Sequence, residues 1–218
     1  MFEAINYYLS FQGHQYSKPE RAGDRAEVME VFKKSGQAAR LEMTTLSQTI
    51  AGHLPDFRMG RVSSWLNQAQ IARPHFWTYF HGLADKPDDV GMAIRLYGRE
   101  DDFGLSVEVS FIERHRSEST LTKQARVLDI PIKAPLYYWV QKEGESYREE
   151  GTEKNRQRLK AALANGDIRK VLIKTDIPIS LDMTTEELVA SILERFQLLY
   201  PYYLETKDEP MPSPLLTN

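Results

Sequence analysis

The sequence predicts an α+β fold, with a mainly antiparallel sheet centred on a hairpin at residues 90–112, helices packed on it and a helical N-terminal region. Two observations carry this. Residues 90–97 and 105–112 each alternate in polarity, the signature of a strand with one buried face. Val90, Met92, Ile94 and Leu96 share one side of the first run; Leu105, Val107, Val109 and Phe111 share one side of the second. Arg95, Tyr97, Ser106, Glu108 and Ser110 fall opposite. The second observation is order: helix signals come first, then strands mixed with helices, and several strand-to-strand links are short enough only for antiparallel neighbours.

The elements follow in sequence. Residues 1–11 are rich in aromatics and suit a short helix or strand, and residues 13–23 are polar and loop-like. Asp24 and Glu27 have capping-box spacing, which predicts a helix to about Lys34, ended by Gly36. A second helix is expected over residues 38–50 and a third over 61–71, with Trp65, Leu66 and Ala69 on one side. After the hairpin, whose link is residues 98–104, residues 119–128 suit a short helix. Pro131 and Pro135 mark a linker, and residues 136–142 and 146–149 suit two strands about a turn at Gly144. Thr152 is a good N-cap for a helix stopped at Asn165-Gly166. Residues 170–175 read as a strand. Thr184 and Glu187 form a capping box for a helix carrying Leu188, Ile192, Phe196 and Leu199, ended by Pro201. Residues 1–206 are thus expected as one α+β domain, with 1–70 a candidate helical sub-lobe and 207–218 a disordered tail.

Composition sets bounds on function. The chain has 218 residues, 41% hydrophobic and 27% charged, as in ordinary globular domains. It has no cysteine, which excludes disulfides, thiolate metal sites and a cysteine nucleophile. No secretory leader or apolar membrane-length run is seen, so a cytoplasmic protein with no membrane partner is expected. The net charge of −3 gives no global pull toward nucleic acid. Locally, residues 113–170 hold 13 Lys/Arg against 9 Asp/Glu, while 171–218 hold 3 against 8.

Motifs for catalysis are lacking. His14, His53, His75, His81 and His115 show no metal-ligand spacing, so neither metal nor cofactor is expected. If extended, His75 and His81 share a face about 20 Å apart at the usual strand rise. A magnesium nuclease wants a lysine two residues after an acid on a strand; after Glu108 that position is Ser110. No phosphate-binding glycine loop and no nucleophile elbow occurs. The remaining signal is aromatics beside cations. Arg114, Arg116, Lys123 and Arg126 follow the hairpin, and Tyr137 and Trp139 lie on one side of the next strand, opposite Tyr138. Cations meet phosphates and aromatic faces stack on bases, so these six are the nucleic-acid-binding candidates for DNA or RNA. The alternative places the same cations on a solvated helix face, paired with Glu113, Glu118 and Asp129.

Three features together resemble a known family: the two alternating strands, the Leu136-Tyr137-Tyr138-Trp139 strand, and the terminal Ile192-Leu193-Glu194-Arg195-Phe196-Gln197-Leu198-Leu199-Tyr200-Pro201-Tyr202-Tyr203. Over residues 60–205 their order resembles the recognition domains that precede the GTPase part of modified-cytosine restriction proteins. That family's Gly-rich opening is missing, and Arg73-Pro74-His75-Phe76-Trp77 stands where its Pro-Trp-Ile-type segment belongs. The resemblance implies a freestanding, non-enzymatic binding protein associated with restriction or defence. The competing classes are a protein-interaction module with a protein partner, and an enzyme with a diffuse site around His75, His81 and His115.

Overall fold

A computed structural model describes residues 2–180 and 182–208. In chain order they form α1 (Glu3–Leu9), α2 (Ala26–Gly52), β1 (Phe57–Met59), β2 (Trp77–Gly82), β3 (Gly91–Arg99), β4 (Asp102–Ser110), α3 (Glu118–Ala125), β5 (Tyr137–Lys142), β6 (Glu145–Glu150), α4 (Glu153–Ala164), β7 (Lys170–Pro178) and α5 (Thr185–Glu205). The fold is α+β. The strands make one sheet in the order β1-β2-β3-β4-β7-β5-β6, every pair antiparallel. The β3–β4 hairpin runs in register from Gly91↔Ser110 to Arg99↔Asp102. Its link is therefore tighter than the expected 98–104: only Glu100 and Asp101 connect the strands, with Asp101 at φ 60°.

The alternation places the core. Ile94, Leu96, Val107 and Val109 are each fully buried and belong to a single apolar cluster with residues of α1, α2, α4 and α5. α5 lies across the sheet, setting Phe196 edge-on to Phe80 of β2 at 5.3 Å. Thr184 caps it as predicted, accepting from the Glu187 N–H while the Glu187 carboxylate accepts from the Thr184 N–H. Thr152 likewise caps α4.

Four local expectations are corrected. α2 is one helix through Gly36, not two. A glycine costs a helix about 1 kcal/mol, but here it admits the Trp65 ring, which joins Phe32, Tyr8 and Tyr16 in an aromatic cluster. α5 continues past Pro201 to Glu205. The proline removes the N–H that would bond the Gln197 carbonyl, yet the last turn buries Tyr202 and Tyr203, whose hydroxyls donate to the Pro131 carbonyl and to Asp85. Residues 61–71 are not helical. Asn67 closes a turn there by accepting from the Ile71 N–H, with Gln70 at φ 59°, and such side-chain bonds compete with helix formation. At α2 the Asp24–Glu27 box is absent: Gly23–Arg25 is a 3-10 turn and Arg25 stands at the N-cap without a side-chain bond.

Of the expected disordered tail, 209–218 lies outside the described residues. Lys207 and Asp208 are held: Lys207 Nζ lies 2.8 Å from Asp85 and donates to the Val90 carbonyl, and Asp208 pairs with Lys123 and Arg126.

Candidate nucleic-acid interface

The two faces of the sheet differ in kind. Each apolar side chain that the helices bury belongs to the core cluster on one face. Tyr79, Ala93, Tyr137 and Leu172 are buried but stand outside that cluster, because they point to the other face. Among the described residues that face has no helix packed into it.

Register defines its layout. Tyr79 pairs with Ala93, Ala93 with Glu108, Glu108 with Lys174 and Lys174 with Tyr137, so these five form one line across β2, β3, β4, β7 and β5. At about 4.8 Å per strand the line spans about 19 Å. Trp77, Arg95, Ser106 and Asp176 form the neighbouring line. Trp139 lies beside Leu172 and Arg148 on the other side. The central strands offer small residues, Ala93, Ser106 and Ser110, while Trp77 and Tyr79 stand on β2 and Tyr137 and Trp139 on β5. The strip of sheet face between these aromatics is called the trough below.

Charges line its floor. Glu108 is fully buried. Its Oε1 accepts from Arg95 Nε at 3.1 Å, from Arg95 Nη2 at 2.7 Å and from the Ser110 hydroxyl at 2.9 Å. Its Oε2 lies 3.0 Å from Lys174 Nζ, out of hydrogen-bonding line. Burial by itself raises the Glu108 carboxyl; Arg95 and Lys174 outweigh it and hold the group well below the usual carboxylate range. The Tyr79 hydroxyl donates to the Phe111 carbonyl at 2.8 Å, and burial pushes its pKa up to about 12. Lys174 Nζ also sits 5.2 Å from the Trp139 ring centre. On the β5 wall, Arg148 stacks over Tyr137 at 3.7 Å, and both bind Asp176, Tyr137 at 2.7 Å and Arg148 at 2.8 Å. Trp77 and Trp139 are half-buried and Arg148 is exposed, so the face presents rings and cations together.

One end of the trough is basic. A 3-10 turn, Glu113–His115, follows β4 and carries Arg114; Arg116 comes next, both exposed. Arg169 and Lys170 open β7 beside it, and Lys142 closes β5. Glu113 is the acid in their midst. It takes Arg169 Nη2 at 2.9 Å, Arg116 Nε at 3.2 Å and also Lys170, and its carboxyl is lowered to about 2, chiefly by the Arg169 hydrogen bonds.

The six sequence-derived candidates are thus divided. Tyr137 and Trp139 stand on the trough wall, and Arg114 and Arg116 at its basic end. Lys123 and Arg126 lie on α3 and the turn after it, on the helix side. Lys123 bridges Asp89 at 2.6 Å and Asp208 at 2.8 Å with its side chain 12% exposed, so it is not part of an exposed patch. Arg126 donates to Asp208 and to the Lys207 carbonyl. Sequence reasoning did not assign Arg95, Lys174, Arg148, Arg169 and Trp77 to the site. For Arg95 the signal was present, since strand alternation turns it away from the core. For Lys174 it was present too, since alternation with Val171 and Ile173 turns it to the same face; what the alternation did not show is that both cations meet Glu108.

The histidines do not converge. His75 and His115 are exposed. His81 is buried, stacked on Tyr79, with Nδ1 3.8 Å from Asp85; burial lowers its pKa against the opposing pull of Asp85. Among the described residues no group of three or more metal-ligating side chains stands together. No helix among them is long and apolar enough to cross a membrane. No protein-family model and no curated protein sequence matches the chain.

Proposed function

We propose that this protein is a non-enzymatic nucleic-acid-binding module that holds a single strand on the helix-free face of its sheet. One observation carries the reading: two aromatic walls, Trp77 with Tyr79 and Tyr137 with Trp139, flank a floor holding Arg95 and Lys174, and the trough opens onto the cations Arg114, Arg116, Arg169 and Lys170. Bases stack on aromatic faces without regard to sequence, and cations track the backbone. The resemblance to the recognition domains of modified-cytosine restriction proteins supports placing the module as an accessory of a restriction or defence system.

The test is a fluorescence titration of labelled single- and double-stranded DNA and RNA at two salt concentrations. Single strands are expected to bind saturably and more weakly at high salt, because phosphate contacts release counterions. Trp139→Ala is expected to cost about 1–3 kcal/mol of binding. Absence of saturable binding tighter than about 10⁻⁴ M, the weak end of non-specific affinity, overturns the reading in favour of a protein-interaction role.

A further inference from the structure

His81 and Lys207 meet the same buried carboxylate. Asp85 Oδ1 lies 2.8 Å from Lys207 Nζ, and Asp85 Oδ2 lies 3.8 Å from His81 Nδ1. His81 is 9% exposed, and its Nδ1 has no hydrogen-bond partner among the described residues. The ring is fixed in place. It stacks on Tyr79 at 5.9 Å and abuts Gly91, where an added Cβ would lie 2.9 Å from its Cε1. Other charged and titratable groups face it from each neighbouring element. On β1, Arg58 is the register partner of His81 and donates to the Asp85 carbonyl. In the β2–β3 loop, Asp89 is held by Lys123 of α3. From α5, the Tyr203 hydroxyl donates to Asp85 Oδ2. Beyond α5, Asp208 pairs with Lys123 and Arg126. Asp85, Asp89 and Asp208 thus already have Lys207, Lys123 and Arg126 as partners, so a proton on His81 brings a cation with no acid of its own.

We propose that His81 and Lys207 compete for Asp85, so that protonation of His81 releases the chain beyond Thr206 from the β2–β3 loop while the sheet and α5 stay folded. The two competitors differ in freedom. His81 is locked in a strand and between rings and backbone, whereas Lys207 stands past the last helical residue on a flexible four-carbon stem. Lys207 is therefore the one that yields, giving up Asp85 and the Val90 carbonyl. α5 keeps its own anchors, the Tyr202 hydroxyl on the Pro131 carbonyl and the Tyr203 hydroxyl on Asp85. Burial lowers the pKa of both His81 and Lys207, and Asp85 opposes it in both, as befits two groups drawing on one anion. The device does not depend on the nucleic-acid reading.

The test is NMR of the full chain from about pH 7.5 to about pH 5, the range in which histidines titrate. The His81 ring titration is followed beside the backbone order of Lys207 and Asp208. Their order is expected to fall along the His81 titration curve while the amides of Ile192 to Leu199 hold their shifts. His81→Phe keeps a ring on Tyr79 without a titrating nitrogen, and is expected to leave Lys207 and Asp208 ordered at every pH. Coupling is reciprocal, so Lys207→Met is expected to raise the His81 midpoint by about 1–2 pH units, a coupling of about 10- to 100-fold. Lys207 and Asp208 staying ordered in wild type, through the His81 titration or because His81 takes no proton down to the lowest pH, overturns the proposal. So does loss of the Ile192 to Leu199 amides at the same pH, since acid then unfolds the domain and not the strap. Release in His81→Phe at the wild-type pH also overturns it, because another group is then the trigger. The wild-type titration decides the matter even if neither variant folds.

Discussion

Lys207, two residues beyond α5, reaches back to Asp85 in the β2–β3 loop with 2.8 Å between Nζ and Oδ1 and both side chains almost wholly buried. The other carboxylate oxygen accepts from the Tyr203 hydroxyl at 2.7 Å and the Gly82 N–H at 2.9 Å. Lys207 Nζ also lies 4.0 Å from the Tyr203 ring centre. The end of α5 is thereby tied to the edge of the trough. Removing one member of a buried pair strands the other charge. Lys207→Ala is expected to cost about 3 kcal/mol, the low end for such a loss, because Asp85 keeps its two other donors. Urea unfolding measures it; an unchanged midpoint shows the pair to be dispensable.

Gly36 is expected to reverse the usual helix rule. Glycine to alanine inside a helix ordinarily stabilises by up to about 1 kcal/mol. Here the new Cβ falls 2.4 Å from the Trp65 ring, and overpacking of that kind costs about 1–3 kcal/mol. Gly36→Ala should lower the melting temperature, and should cease to do so in a Trp65→Ala background. Stabilisation by Gly36→Ala alone shows that the ring is not seated there.

Acid should destabilise the fold in two stages. Burial depresses the His81 pKa below 6.5, so the unfolded chain takes up that proton first and stability starts to fall below about pH 6.5. Glu108 is depressed from 4.5 by Arg95 and Lys174 against its burial, so its contribution is full above pH 4.5 and is lost as pH falls further. Urea midpoints at pH 7, 5.5 and 3.5 should decline in order. Glu108→Gln should be less stable at pH 7, by up to about 3–5 kcal/mol, reduced because Arg95 keeps a quarter of its exposure. It should also lose less between pH 5.5 and 3.5. A midpoint constant across the range contradicts both assignments.

Arg116 and Lys123, seven positions apart, should separate binding from stability. Arg116→Ala should weaken nucleic-acid binding about equally for all sequences and reduce the log K against log salt slope by about 1. Lys123→Ala should leave that slope unchanged and cost about 1–3 kcal/mol of folding, between a surface and a buried pair. A salt slope altered by Lys123→Ala and not by Arg116→Ala moves the contact surface to the helix side.

The sequence by itself determined what depends on near neighbours. Alternation told which side of β3 and β4 meets the core, and caps at Thr152 and Thr184 told where α4 and α5 begin, because these signals are read within a turn or a strand's length. The tertiary structure decided the rest. Gly36 and Pro201 carry intrinsic penalties that predict helix ends, and only the seating of Trp65 and the burial of Tyr202 and Tyr203 outweigh them. Arg114 and Lys123 look alike in a basic segment, yet one faces solvent beside the trough and the other is clasped by Asp89 before β3 and Asp208 after α5. The site itself depends on β7 entering between β4 and β5, which sets Lys174 against Glu108 and beside Trp139. Strand order is a long-range pairing choice, so the residues it brings together carry no local signature.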